Sequence, residues 1–290
     1  MTRCGAQCYV GRSVEEYDPK YGRWRRLQEA PLVEAAGTAC GEDEQGRPAL
    51  YLVGGTQKLT EFSYTRFSGY LFARYRIAED RWEALPDTSG VGQDQSVVWL
   101  NGIVYVTSVY DDSQTVRRFD TATMTWLSNA ADVPVPVWGA SVVAVGAHLY
   151  LYGGRGRGEG CPGWCNYNRL YRYDPSSNTW ARMADAPGGE NSGPGSRRGG
   201  LAADPDVPLA EAKIYMHKAM EDAVYAYSVA GDTWETYAVG MNDAGGNSVK
   251  RGGGMSGLVA LHGRLLYVSG SRWNYATGSW DEWTNIVDVR

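Results

Sequence analysis

Residues Tyr173 to Met183 read YDPSSNTWARM, an aromatic residue closing one extended run, a polar turn of Asp, Pro, Ser and Asn, and a tryptophan opening the next run. Turn formers between two β-prone runs specify a strand, a tight turn and a second strand. The pattern recurs as YDPKYGRWRRL (Tyr17 to Leu27), YRIAEDRWEAL (Tyr75 to Leu85), FDTATMTWLSN (Phe119 to Asn129) and YSVAGDTWETY (Tyr227 to Tyr237). Anchored on Trp24, Trp82, Trp126, Trp180 and Trp234, successive copies lie 58, 44, 54 and 54 residues apart. Self-similarity at a period of ~50 residues is the mark of a propeller array.

Outward from this stretch, the fourth repeat resolves into four extended runs: GASVVAVG (Gly139 to Gly146), HLYLYGG (His148 to Gly154), NRLYRYD (Asn168 to Asp174) and TWARM. Alternation of apolar and polar residues, bounded by Gly, Asn, Asp and Pro, predicts strands throughout, and no stretch carries a sustained helical period. The same frame fits GTACG, ALYLVGG, GYLFARYRI and RWEAL in the second repeat, then SVVWLNG, IVYVTS, TVRRFD and TWLSN in the third. GGLAAD, KIYMHK, DAVYAYS and TWETY form the fifth.

Composition agrees with a turn-rich β protein: 43% hydrophobic and 12% aromatic residues, with 37 glycines and 20 tyrosines in 290 residues. A formal net charge of -5 with Lys and Arg scattered argues against nucleic acid and membrane surfaces as partners. No apolar run reaches the ~18 residues of a membrane span, and MTRCGAQCYVGR lacks the apolar core of a signal peptide. Read as a whole protein, the chain is expected to be soluble, cytoplasmic by default, and a single domain.

The repeat resembles the kelch family, whose marks are a Gly-Gly pair closing the second strand and a Tyr and Trp near the third and fourth. The pair is intact at Gly54-Gly55 and Gly153-Gly154, reduced to Ser269-Gly270, and replaced at Thr107-Ser108 and His217-Lys218. The resemblance implies an all-β propeller of four-stranded antiparallel kelch-like blades, five-bladed or an incomplete six-bladed ring. The outer strands of blade 1 fall in 1–30, blade 2 in 31–88, blade 3 in 89–132, blade 4 in 133–186 and blade 5 in 187–240, with C-terminal inner strands in 241–290. In this frame the glycine pair admits positive φ, and the Tyr and Trp side chains fill the wedge between blades.

Cys4-Gly-Ala-Gln-Cys8 precedes Tyr17 as Cys161-Pro-Gly-Trp-Cys165 precedes Tyr173, nine and eight residues after the second cysteine. The register therefore starts Met1 inside a second-to-third-strand loop, with a natural N-terminus expected upstream. Two closures remain open. GLVALHG and RLLYVSG supply a first and a second strand, and NIVDVR reads either as another third strand or as surplus: C-terminal inner strands and N-terminal outer strands would complete a fifth blade, leaving Ile286 to Arg290 surplus, or the chain is a piece or divergent member of a larger ring.

Function is expected on the long loops, because a rigid scaffold leaves chemistry to its connections. Those at Thr56 to Ser68, Arg155 to Tyr167 and Ser271 to Thr284 are long and aromatic or Arg-rich, and Arg197-Arg198 and Lys250-Arg251 end two interblade connections. The kelch resemblance implies an Arg near the channel rim at Arg198 and Arg251. The expected binding face comprises Arg66, Trp138, Arg155, Trp164, Arg198, Arg251, Arg272 and Trp273, since Arg and Trp give much contact for few lost rotamers.

The two CxxxC pairs read as loop-pinning disulfides or plain thiols ahead of a metal site, with Cys40 a buried thiol on an inner strand. Disulfides would point to an oxidising, extracellular compartment. No histidine pair, GxSxG, P-loop, HExxH or dinucleotide motif appears, so no catalytic residue, metal or cofactor is assigned. The favoured function is a noncatalytic scaffold that binds a protein or peptide, with acidic groups suited to the arginines. The alternative is a propeller enzyme acting on a carbohydrate or another small molecule.

Overall fold

The computed structural model describes residues 12–18, 20–31, 36–55, 57–60, 63–65, 71–86, 92, 95–107, 114–158, 161–188, 200–217, 223–239, 257–268, 271–274, 279–282 and 286–288. Within strands, the side chains of 57–60, 63–65, 158, 161–162, 164, 239, 261, 267–268, 271–274, 279–282 and 286–288 are not described. The fold is all-β, of the β-propeller class, and the described residues contain two short 3-10 turns and no α-helix. Two compact units divide it: 1–110 with 117–129, and 111–116 with 130–290.

In the first unit, β1 (Val14–Asp18) and β2 (Arg23–Leu27) form a two-stranded sheet. Strands β3 (Gly37–Glu42) and β4 (Pro48–Val53) come next, followed by β5 (Gln57–Thr60), β6 (Ser63–Thr65), β7 (Phe72–Arg76) and β8 (Arg81–Ala84). The blade order is β3-β4-β7-β8, with β5 and β6 paired as a separate hairpin. A second blade runs β9 (Ser96–Leu100), β10 (Ile103–Thr107), β11 (Arg117–Asp120) and β12 (Thr125–Trp126). Tyr51, Val53 and Phe72 of one blade meet Val97, Val104, Val106 and Phe119 of the next in one buried cluster. Each fully buried side chain of this size contributes roughly 1.5–3 kcal/mol.

The second unit begins with β13 (Ser141–Val145), β14 (His148–Tyr152), β15 (Arg155–Gly158), β16 (Cys161–Asn166), β17 (Leu170–Asp174) and β18 (Thr179–Arg182). Its blade is β13-β14-β17-β18, and β15 pairs with β16. The next blade is β19 (Gly200–Ala203), β20 (Lys213–His217), β21 (Ala223–Ser228) and β22 (Thr233–Val239). Last come β23 (Gly257–Leu261), β24 (Arg264–Val268), β25 (Ser271–Asn274), β26 (Ser279–Glu282) and β27 (Ile286–Asp288). Here β24 pairs with β27, so Ile286 to Asp288 take the third-strand place and are not surplus as the five-bladed closure required. A β-strand edge carries unpaired N–H and C=O groups, and β27, beyond the β25-β26 hairpin, satisfies those of β24.

The repeated stretch now has a physical role. In all five copies the aromatic residue and the Trp are direct cross-strand partners, with ring centroids 5.0 to 5.2 Å apart. Two residues before each Trp the backbone is left-handed, at Gly22, Asp80, Met124, Asn178 and Asp232. From Trp82 onward, each indole N–H donates to a carbonyl on the segment leaving the preceding blade: Gln28, Pro86, Ala131 and Ala184 respectively. In three of these blades the same residue also gives its N–H to the left-handed side chain, Gln28 to Asp80, Ala131 to Asn178 and Ala184 to Asp232. That oxygen accepts a Tyr hydroxyl as well, from Tyr75, Tyr173 and Tyr227.

The remaining blade explains the chemistry. The residue whose carbonyl accepts the indole N–H there is Pro86, which has no N–H of its own; its left-handed residue is Met124, and its aromatic residue is Phe119, without a hydroxyl. Two donors and their shared acceptor are absent together, so no buried polar group is left orphaned.

Both intact glycine pairs have positive φ, 67° and 92° at Gly54 and Gly55, 72° and 86° at Gly153 and Gly154. Cys40, expected to be buried, is a free and exposed thiol, because Ala39 takes the core-facing position and Cys40 alternates outward. Protein packed on its remaining sides still pushes the thiol pKa up.

An ion network closes the outer side of the β3-β4-β7-β8 blade. Arg74, 1% exposed, pairs with Glu83 and Glu44, while Arg76 pairs with Asp43, Glu44 and Glu83. Burial works to raise the Asp43 and Glu44 carboxyls, but hydrogen bonds from Arg47 to Asp43 and from Arg76 and Arg74 to Glu44 outweigh it, and both lie at about 2.

Candidate functional site

The long loops foreseen at 56–68, 155–167 and 271–284 contain β-hairpins: β5-β6, β15-β16 and β25-β26, each inserted between the second and third strands of its sheet. Of the expected binding residues, Arg66, Arg198 and Arg251 lie outside the described residues. Trp164 is on β16, and Arg272 and Trp273 are on β25, placed by backbone only. Arg272 is register partner to Asp281 and Trp273 to Trp280. Trp138 and Arg155 are brought together.

These two residues exchange a pair of backbone hydrogen bonds, Trp138 N–H to Arg155 C=O and the reverse, both 2.9 Å. The connection entering the blade is thereby an extra strand-like layer across the base of β15. Val133 and Val137 on it are fully buried, and Trp138 is 9% exposed, so Trp138 anchors the hairpin and is covered by the protein itself. Gly156 sits so close that a Cβ there would lie 1.8 Å from the Pro136 carbonyl oxygen. Only glycine permits this approach.

The other side of the base is held by the chain leaving β16. Tyr167 N–H donates to Gly154 C=O at 3.0 Å, and Tyr167 is fully buried beneath the Arg169 guanidinium, 4.7 Å from the ring centroid. The Asn168 side chain donates to the Ala186 and Gly188 carbonyls at 2.8 and 3.3 Å, tying the hairpin exit to the end of the blade. Cys165 is 4% exposed and disulfide-bonded. From this clamped base, Arg157 and Gly163 reach solvent. The arrangement presents cationic side chains on a backbone that does not have to be ordered on binding. Among the described residues no group of three His, Cys, Asp or Glu is placed to hold a metal ion.

Residues missed by the loop reading are the anchors: Val133, Pro136, Val137 and Gly156. Their signal is faint in sequence, a run of alternating valines (DVPVPVW, Asp132 to Trp138) that extends like a strand without belonging to any of the four.

A Kelch motif model matches residues 139–187, which span the β13-β14-β17-β18 blade with its hairpin and turn. Over that blade the chain carries a kelch motif. Beta-scruin of Limulus polyphemus is 28% identical over 153 residues, half of this chain and 16% of its own length. Kelch-like protein 35 of Mus musculus is 29% identical over 114 residues, 39% of this chain and 19% of that one. Kelch-like protein terF of Aspergillus terreus is 22% identical over 180 residues, 59% and 38% respectively. Each kelch relative is thus matched over well under half its length.

Proposed function

We propose that this kelch chain is a protein-binding module that engages its partner through the hairpins inserted between second and third strands, with β15-β16 as the principal contact. The observation that carries the reading is the fixed base of that hairpin, held by the Trp138–Arg155 bridge and the close seat of Gly156 while Arg157 stays exposed. Kelch repeats characteristically serve protein–protein contact, which supports the same class of function. Arg155, Arg157 and Arg272 favour a partner segment rich in carboxylates, since guanidinium groups bind these bidentately.

A displayed library of random peptides selected against the full chain tests this. Acidic peptides should emerge, and Arg157→Ala should weaken them about tenfold, in the range of a rim-to-core Arg contact. Raising the salt should weaken them further. Selected peptides that bind the Arg157→Ala and Trp164→Ala variants as tightly as the parent would refute the assignment of this hairpin.

A further inference from the structure

The pairing of β15 with β16 is uneven. Gly156 is opposite Cys165 and Gly158 is opposite Cys161, so Arg157 alone faces Pro162, Gly163 and Trp164. Along a regular strand, residues four apart are separated by about 13 Å, far beyond a disulfide. Here the two cysteines stand opposite residues only two apart, about 6.7 Å along β15, at the upper edge of the Cα separation a disulfide spans. Residues i and i+2 of a strand point to one face, and directly paired residues share a face, so both cysteines occupy the same side of the hairpin. Both of their partners are glycines, which leave that side without opposing side chains. Cys165 is disulfide-bonded, and Cys40 is a free thiol.

We propose that Cys165 is bonded to Cys161 and that this bond clamps Pro162-Gly163-Trp164 as a fixed three-residue bulge, the element of the hairpin that determines which partner is recognised. An added Cβ at Gly163 would meet nothing within 4 Å, as for a residue at a projecting tip. The clamp replaces the ladder hydrogen bonds that an uneven pairing forfeits, and it removes the freedom the bulge would otherwise lose on binding. The recognition role rests on the function proposed above; the disulfide assignment does not.

Tryptic digestion of the full chain, secreted and never reduced, decides the pairing. Cleavage after Arg157 and Arg169 leaves both cysteines on one peptide, 158–169, which should appear about 2 Da lighter than its dithiol form. The same peptide joined to 4–12, through Cys4 or Cys8, would overturn the assignment. A trialkylphosphine then tests the clamp: with one water it becomes the phosphine oxide, and the S–S bond, gaining two electrons and two protons, becomes two thiols. Amide exchange over 158–166 should accelerate about tenfold on reduction while β13 stays unchanged. Equal exchange before and after reduction would refute the clamp. Acidic peptides that bind the reduced chain undiminished would refute the recognition role alone.

Discussion

Asp232 is the sharpest test of the relay that locks one blade to the next. Its Oδ1 accepts the Tyr227 hydroxyl at 2.7 Å and the Ala184 N–H at 2.8 Å, and its backbone is left-handed at φ 48°. Asp232→Asn keeps the acceptor, as Asn178 does one blade earlier, and should change stability by no more than about 1 kcal/mol. Asp232→Gly keeps the backbone but orphans the buried Tyr227 hydroxyl and the Ala184 N–H, a loss of about 2–4 kcal/mol. Asp232→Ala adds left-handed strain of about 1–2 kcal/mol, for roughly 3–6 in all. Adding Tyr227→Phe to Asp232→Gly removes the orphaned hydroxyl and should restore about 1–2 kcal/mol, the state that Phe119 and Met124 already represent. Urea midpoints by tryptophan fluorescence, with amide exchange over β21 and β22 to localise the effect, provide the readout. The relay account fails if Asp232→Asn is as damaging as Asp232→Ala, or if Tyr227→Phe worsens Asp232→Gly.

The tryptophans should not be equivalent. Trp180, latched to Ala131 at 2.9 Å, should lose about 3–5 kcal/mol on replacement by Ala. Trp24, 50% exposed, should lose only about 1 kcal/mol, and matched urea midpoints for the two variants would contradict this. Gly156→Ala drives a Cβ into the Pro136 carbonyl and should detach the hairpin base, seen as faster exchange at Trp138 and Arg155; unchanged protection there would count against the anchor. The carboxyls of Asp43 and Glu44, lowered to about 2, supply stability that is complete above their unfolded values of 3.8 and 4.5 and is lost as pH falls toward 2. Urea midpoints between pH 5 and 2 should therefore fall more steeply for the parent than for Glu44→Gln, and parallel curves would remove the network from the acid response.

The order of strands and the repeat were legible from residues alone, because a period-2 strand and a polar turn are local and YDPSSNTW carries both; the register adds that each aromatic residue stands directly opposite its Trp. The β15-β16 hairpin within its long loop was not legible, since RGRG and CPGWCN lack apolar alternation and its base is seated on the connection packed against Gly156. NIVDVR reads as extended, and residues alone leave two places for it, a further third strand or a surplus one; the open edge of β24 decides for the third strand. Trp138 reads as a binding residue in a list of exposed loop tryptophans and becomes an anchor once Arg155 lies beside it.

Residue order alone establishes an array of blades and which aromatic residues repeat, since both follow from periodicity and side-chain type. It takes the folded chain to show that Pro86, Met124 and Phe119 form one substitution, and that Gly156 and Gly158 face the two cysteines. Those relations hold between segments distant in the chain or out of step across a turn. There the governing quantity is whether each donor, acceptor and Cβ has a place to go.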